Sequence, residues 1–145
     1  MGLDMYLQAE RYMWYNEDLL KEEVGRAFPE LPDGAKVKTV TAEIGYWRKA
    51  NAIHRWFVAN VQDGVDNCEA FHVPREKLQE LRGECLKVIN DPGLAEKTLP
   101  TQSGFFFGNT DYNEWYMEDL QETVDICNRA LDMPDTWDIQ YRASW

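Results

Sequence analysis

Apolar and polar residues alternate at both ends of the chain, which is the pattern of a strand with one buried face. Over residues 2–11 every second side chain is apolar, and a period of two places these side chains on one face of a β-strand. That face is predicted to hold Leu3, Met5, Leu7 and Ala9. Residues 137–143 repeat the pattern, with an apolar face made by Trp137, Ile139, Tyr141 and Ala143. We expect the two terminal strands to pair antiparallel.

The residues between the terminal strands change to other periods. A short polar helix is predicted at 16–26, and apolar positions spaced by three and four predict longer helices at 46–58, 74–89 and 111–132. Short strands are predicted at 36–41 and 68–73. Three to four strands with three main helices, and no strict βαβ alternation, are typical of an α+β fold in which a small antiparallel or mixed sheet packs with the helices. No composition break divides residues 1–145, so a single domain is predicted.

Composition and charge narrow the class of protein. Aromatic residues make up 13% of the chain, which excludes intrinsic disorder because disordered chains are poor in aromatics. The formal net charge of -11 argues against direct binding of nucleic acid, which needs a basic face. The charge is uneven: residues 34–55 carry five bases and one acid, whereas residues 111–138 carry nine acids and one base. Such polarity steers a charged ligand towards one part of the surface.

The cysteines and histidines do not indicate a metal or cofactor site. Cys68, Cys85 and Cys127 are widely spaced, and together with two histidines they form no zinc-ligand pattern. We expect buried, reduced thiols in a cytoplasmic protein. The chain has no apolar run long enough to cross a membrane, and its first residues lack the basic region of a signal peptide. No cofactor, metal or membrane partner is expected.

The first candidate site is one side of the helix predicted after the second strand. Trp47, Asn51 and His54 are spaced by four and three residues, which aligns an indole, an amide and an imidazole on one flank of a helix. Arg48 and Lys49 stand within one turn of that row. Stacking, amide pairing and cationic contacts are the interactions that hold a nucleobase and its phosphates. The alternative is a partly buried helix whose Asn and His satisfy backbone groups.

The second candidate is the glycine-rich loop at 101–112. Glycine lets a backbone approach a ligand closely, and the N-terminus of the helix that follows favours anions. The candidate ligand-binding residues here are Ser103, Gly104, Phe106 and Tyr112. The loop lacks the Walker pattern, and an aspartate at the helix start would compete with phosphate. Three consecutive phenylalanines cannot all face one core, so we expect at least one to be exposed or to line a pocket. The alternative is an ordered aromatic loop packed across the sheet.

Three segments give the sequence a resemblance. The opening MGLDMYL, the central block GYWRKANAIHRWF and the loop LPTQSGFFFG are similar to an uncharacterised family of small bacteriophage and prophage proteins, over nearly the whole chain. The resemblance supplies no catalytic residues. It implies a phage accessory protein in the cytoplasm of the bacterial host, and by analogy one that acts against host defence.

Three functions follow from these observations. The first is binding of a small anionic, nucleotide-like ligand between the 46–58 helix and the 101–112 loop, with no catalytic residue assigned. The second is an acidic interaction protein whose 111–132 helix docks on a basic host protein and inhibits it. The third is a small nucleotide hydrolase in the same pocket, with His54 as general acid or base and Asp4 as its orienter. A homo-oligomer is compatible with all three.

Overall fold

The computed structural model describes residues 2–145. Its elements in chain order are β1 (Asp4–Tyr12), α1 (Asp18–Arg26), β2 (Thr39–Arg48), α2 (Asn51–Asn60), β3 (Phe71–His72), α3 (Arg75–Asn90), α4 (Ala95–Thr98), α5 (Glu114–Leu131) and β4 (Asp138–Ser144). A short 3-10 turn, Pro92–Leu94, joins α3 to α4. The predicted α+β fold, with a small antiparallel sheet and helices packed on it, is confirmed.

The sheet is built around β1. The strand order is β2-β1-β4-β3, and β1 pairs antiparallel with both neighbours, so that Met5 lies between Trp47 and Ala143. The predicted pairing of the two terminal strands is therefore confirmed. The predicted apolar face of β1 is also confirmed, since Leu3, Met5, Leu7 and Ala9 are fully buried. Buried residues alternate along β4 as well, so one face of the sheet is covered and the opposite face is polar.

Helices α2, α3 and α5 cover the apolar face of the sheet. Their buried side chains form one core with those of β1, β2 and β4. α3 buries the stripe predicted from its sequence, namely Leu78, Leu81, Cys85 and Val88. α5 buries most of its predicted stripe, namely Tyr116, Leu120, Val124 and Cys127. α1 has no buried residue and lies outside this core.

The predicted 46–58 helix is wrong in its first third. β2 continues as far as Arg48, and α2 begins only at Asn51. The strand predicted at 36–41 is correspondingly displaced and extended, to Thr39–Arg48. The aligned row of Trp47, Asn51 and His54 on one helix flank therefore does not exist, because Trp47 belongs to the sheet and the other two to the helix.

The corner between β2 and α2 explains this error. Lys49 has a left-handed backbone, with φ of 58°, and it ends the strand immediately before the helix. Trp47 is 1% exposed and pairs with Met5 of β1, so its side chain fits the buried face of the sheet. Pairing with a neighbouring strand overrides the local helical spacing at such positions.

Other differences concern the ends of elements and one cysteine. The strand predicted at 68–73 is limited to Phe71–His72. α5 begins at Glu114, because Asn113 caps it by accepting the Tyr116 N–H on Oδ1 at 3.1 Å. Two of the three cysteines are buried, as predicted, but Cys68 is exposed.

No helix within residues 2–145 has the length and apolar character that a membrane span requires.

α5 lies close to β2 at a position where the strand has no side chain. A β-bulge next to Leu7 leaves Ile44 as an extra residue and places Gly45 opposite Leu7. A Cβ atom on Gly45 would lie 2.4 Å from Cγ2 of Ile126 on α5. Ile126 is 2% exposed and closely surrounded, so it cannot move aside.

We expect Gly45→Ala to lower the free energy of unfolding by about 1–3 kcal/mol, because the added methyl group forces α5 away from β2. Chemical denaturation of the variant measures this. Gly83→Ala is the matched control, since a Cβ on that α3 glycine meets nothing within 4 Å. It should raise the free energy by about 0.5–1 kcal/mol. Equal denaturation midpoints for Gly45→Ala and the unmodified protein would contradict the close contact.

Candidate functional site

Two cavities flank α5 and share residues on its exposed face. The first, which we call the α5 pocket, has a volume of about 280 Å³ and lies between residues 48–53, the 101–113 segment and the first half of α5. The second, which we call the edge groove, has a volume of about 650 Å³ and lies between residues 43–46 of β2 and α5. Glu118 and Glu122 line both cavities.

Trp47 is part of the core and not of a ligand site. Its indole N–H donates a hydrogen bond to Thr123 Oγ1 of α5 at 2.8 Å, in buried surroundings. Its ring meets that of Phe57 edge to face, with centroids 6.0 Å apart. The indole N–H and the ring are therefore both in contact with other core residues. The indole links β2 to α5 and is not free to stack on a base.

Asn51 holds the 101–112 loop against the start of α2. Its Nδ2 donates to the carbonyl oxygens of Phe107 and Asn109 at 3.0 and 2.9 Å, and its Oδ1 accepts the Gln102 N–H at 2.9 Å. The side chain is 3% exposed. Both of its amide hydrogens are used, so it positions a wall of the α5 pocket and has no donor left to read a base edge.

His54 lies in a buried chain of polar groups. Its Nδ1 is 2.7 Å from the hydroxyl of Tyr141, and its Nε2 is 2.9 Å from Asp66 Oδ1. Because an ionised carboxylate only accepts, we assign the proton to Nε2, and Nδ1 then accepts the hydrogen of Tyr141. Burial lowers the pKa of His54, against a smaller opposite effect of Asp66, and favours the neutral ring.

The predicted pairing of His54 with Asp4 is wrong. Asp4 lies on the polar face of the sheet, where its carboxylate accepts the hydroxyl hydrogen of Tyr46 and lies 3.5 Å from Arg48 Nη1. His54 is fully buried on the opposite side of the sheet, with Asp66 as its carboxylate. The sequence gives no signal for that partner, which comes from the irregular segment after α2.

Arg48 and Lys49 are the two predicted cations that line the α5 pocket. The Arg48 side chain is 55% exposed and is shared with Asp4. The aliphatic part of the Lys49 side chain packs on Gly108. A Cβ atom added to Gly108 would lie 3.1 Å from both Cβ and Cδ of Lys49. Two cations of the basic sequence region therefore reach the pocket, at its rim.

The 101–112 loop contributes other residues than those predicted. Ser103, Gly104, Phe106 and Tyr112 are absent from the pocket lining, which takes Thr101, Gly108, Asn109 and Asp111 from this segment. The Tyr112 hydroxyl instead accepts the Thr101 N–H at 3.2 Å. The expectation that at least one of the three phenylalanines is exposed is confirmed, since Phe105 is 95% exposed. Phe107 is buried and packs so closely on Gly104 that a Cβ atom there would not fit.

Acidic residues dominate the α5 pocket. Asp111, Glu118, Asp119 and Glu122 line it against the two cations. Burial above all, and the nearby charges of Glu122 and Glu118, raise the pKa of Asp119 to about 7. Within residues 2–145 no Lys, Arg or His nitrogen lies within 4.0 Å of any of these four carboxylates. The four carboxylates outnumber the two lining cations and form no ion pair with them, so the pocket keeps a net negative charge.

The edge groove extends this acidic surface to β2. Besides Glu118 and Glu122 it is lined by Glu43 and Asp125. Its one lining cation, Arg129, donates a hydrogen bond to the Ile44 carbonyl oxygen at the bulge. The run of acids was visible in the sequence, but its position beside an edge strand was not.

A metal centre is not supported by the described part of the chain. Among residues 2–145 no group of three or more His, Cys, Asp or Glu side chains is arranged to hold an ion.

Comparison with known proteins does not assign the site. The chain matches no protein-family model, no curated protein and no solved structure.

We expect Tyr141→Phe to lower the free energy of unfolding at pH 7.5 by about 1–3 kcal/mol, because Nδ1 of His54 is then left as a buried acceptor without a donor. Tyr46→Phe is the control, since it removes an exposed hydroxyl that bonds to Asp4. It should change the free energy by less than about 1 kcal/mol. Equal effects of the two substitutions would contradict the buried chain.

We expect Asp119→Asn to stabilise the protein in a pH-dependent way. The folded-state pKa of Asp119 is about 7, above the usual 3.8. The contribution of this carboxyl group to the free energy of unfolding is therefore fully present below pH 3.8 and is lost as the pH rises through 7. The variant should therefore gain about 1–2 kcal/mol over the unmodified protein at pH 8, after allowance for partial exposure, and nothing at pH 4. Denaturation at both pH values measures this, with the exposed Asp125→Asn as control. The same gain at both pH values would contradict the raised pKa.

Proposed function

We propose that this protein is an acidic interaction protein, which binds a basic segment of a partner protein along α5 and takes one lysine or arginine side chain of that segment into the α5 pocket. The observation that carries the proposal is the set of unpaired carboxylates at Asp111, Glu118, Asp119 and Glu122 around one cavity. A cation brought by a partner supplies the charge that the two lining cations leave uncompensated.

The walls of the α5 pocket suit a side chain that is apolar along its stem and charged at its tip. Ile53, Tyr116 and Leu120 supply apolar surface, and Trp115, 67% exposed, stands at the pocket with a free ring. Lysine and arginine bury their methylene groups while the charge reaches a carboxylate or an aromatic face. Asp119 is the half-buried carboxylate that such a tip would ionise, since a nearby cation lowers the pKa of an acid.

The charge of the pocket favours this partner over a nucleotide. Four carboxylates oppose the approach of phosphate, while Arg48 and Lys49 are the two features that would favour it. The stacking and base-reading groups of a nucleotide site, Trp47 and Asn51, are engaged inside the protein.

The resemblance to small bacteriophage and prophage proteins supplies a setting for the proposal. In that setting the partner is a basic protein of the bacterial host, met in the host cytoplasm. An acidic surface that occupies a basic one, such as a surface built for nucleic acid, blocks it by competition. Inhibition of a host defence protein is the consequence that we propose.

We expect Glu118→Lys/Glu122→Lys to weaken binding of acetylated, amidated hexa-arginine by at least about tenfold, because both exposed acids line both cavities. Fluorescence anisotropy at low and high salt measures this, and affinity should fall with salt. Glu76→Lys/Glu96→Lys changes the net charge equally on other surfaces and should keep affinity within about threefold. Glu76 and Glu96 are exposed, so folding is not at issue.

Two results would overturn the proposal. Equal losses in the two double variants would show that the peptide responds to net charge alone. A rise in thermal stability with a mono-, di- or cyclic nucleotide, and none with hexa-arginine, would instead assign the pocket to a nucleotide.

A further inference from the structure

We propose that the basic segment binds as an additional β-strand on the free edge of β2, with its alternate cationic side chains pointing into the edge groove towards α5. The inference rests on the proposed function and specifies its binding mode. Strand addition uses main-chain hydrogen bonds for affinity and alternate side chains for specificity.

The backbone of β2 offers unpaired groups along its outer edge. β2 pairs with β1 alone, as the outermost strand of the sheet. The Met13 N–H donates to the Lys38 carbonyl oxygen at 2.8 Å, which sets the register of the ladder from that end. In an antiparallel pair alternate residues direct their N–H and C=O groups away from the partner strand. These residues are Thr39, Thr41 and Glu43, and among residues 2–145 their backbone groups have no partner on that side.

Between Lys38 and Glu43 this edge carries no charge, proline or bulge that would oppose pairing. Edge strands are commonly guarded by lysine, proline, bulges or a covering loop. Residues 39–42 read Thr-Val-Thr-Ala, a β-prone and uncharged run. The bulge at Ile44, and the hydrogen bond from Arg129 to its carbonyl oxygen, interrupt the edge only beyond Glu43. An added strand therefore pairs along residues 39–43, and the continuation of the bound segment past the bulge crosses the edge groove.

The edge groove determines which side chains the added strand can present to α5. Successive residues of a strand point to opposite faces of the sheet, so every second one points to the helix side. Arg129 donates to Ile44 and Ile126 packs at Gly45, so the acids of α5 lie alongside the bulge and the residues after it. Cations in the part of the segment that crosses the groove there reach Glu118, Glu122 and Asp125, which are exposed and have no cation within 4.0 Å among the described residues. The pattern that fits is a cation at every second position with small or β-branched residues between.

A basic segment fits this edge better than a second copy of the chain. Each copy carries a formal net charge of -11 and its own set of acids beside β2, so two copies repel each other as they approach. Charge complementarity therefore selects a basic partner.

Two peptides of one composition test the strand. Acetylated and amidated Thr-Lys-Thr-Lys-Thr-Lys-Thr presents its lysines on one face of a strand, whereas Thr-Thr-Lys-Lys-Lys-Thr-Thr divides them between both faces. We expect the alternating peptide to bind about fivefold to tenfold more tightly in calorimetry or anisotropy. Equal affinities of the two peptides would overturn strand addition.

The protein side of the test uses Thr41→Pro. Proline removes the outward N–H of Thr41, which takes no part in the ladder with β1, and proline is tolerated at such edge positions. We expect the alternating peptide to lose affinity on the order of tenfold, while Thr41→Ala, which keeps the N–H, stays within about threefold. Circular dichroism and thermal unfolding confirm that both variants fold.

The outcomes separate the two proposals. If Glu118→Lys/Glu122→Lys abolishes binding but Thr41→Pro does not, the acidic docking surface stands and strand addition is wrong. If neither peptide nor hexa-arginine binds the unmodified protein, the proposed function fails and this inference with it. If the protein alone sediments as a dimer that Thr41→Pro dissociates, the edge serves self-association and the inference is overturned.

Discussion

The close contact between Gly45 of β2 and Ile126 of α5 determines the position of both cavities. Because the strand has no side chain there, the buried isoleucine brings the helix against the edge of the sheet. The opposite side of α5 then faces solvent with its acids, and Glu118 and Glu122 lie between the α5 pocket and the edge groove. Arg129 reinforces the same contact by donating to the carbonyl oxygen of Ile44. The recognition that we propose for the exposed face of α5 thus depends on a packing constraint in its buried face.

The polar residues that look most like ligand groups stabilise the interior instead. Trp47 joins the sheet to α5, Asn51 joins α2 to the aromatic loop, and His54 joins α2 to β4 and to Asp66. A buried polar group is costly unless its hydrogen bonds are made, and each of these side chains is paired. The hydrogen-bonding groups of these three side chains are used inside the protein. Only polar groups that the interior does not use are available to a partner.

Regular periods explain what could be predicted from the sequence. The terminal strands and the stripe of α5 each bury one face, and a period of two or of three to four is visible without any tertiary contact. The corner at Lys49 could not be predicted, because Tyr46 and Lys49 fit a helical spacing while Trp47 fits a strand, and pairing with β1 decides between them. The acids of the pocket were visible as a charged run. Their meeting with β2 depends on Ile126 and Gly45, which are far apart in the chain.

The acids beside β2 affect both the stability of the folded chain and the pairing of its edge strand. Their mutual repulsion and partial burial oppose ionisation of Asp119, and within residues 2–145 no cation pairs with it, so its ionisation costs the folded chain stability. The net negative charge of the chain also works against pairing of two β2 edges, and an exposed edge strand otherwise leads to self-association. In the binding mode that we propose, a basic strand would neutralise these carboxylates and would not be repelled by them. One set of carboxylates would then both attract the partner and oppose pairing with a second copy.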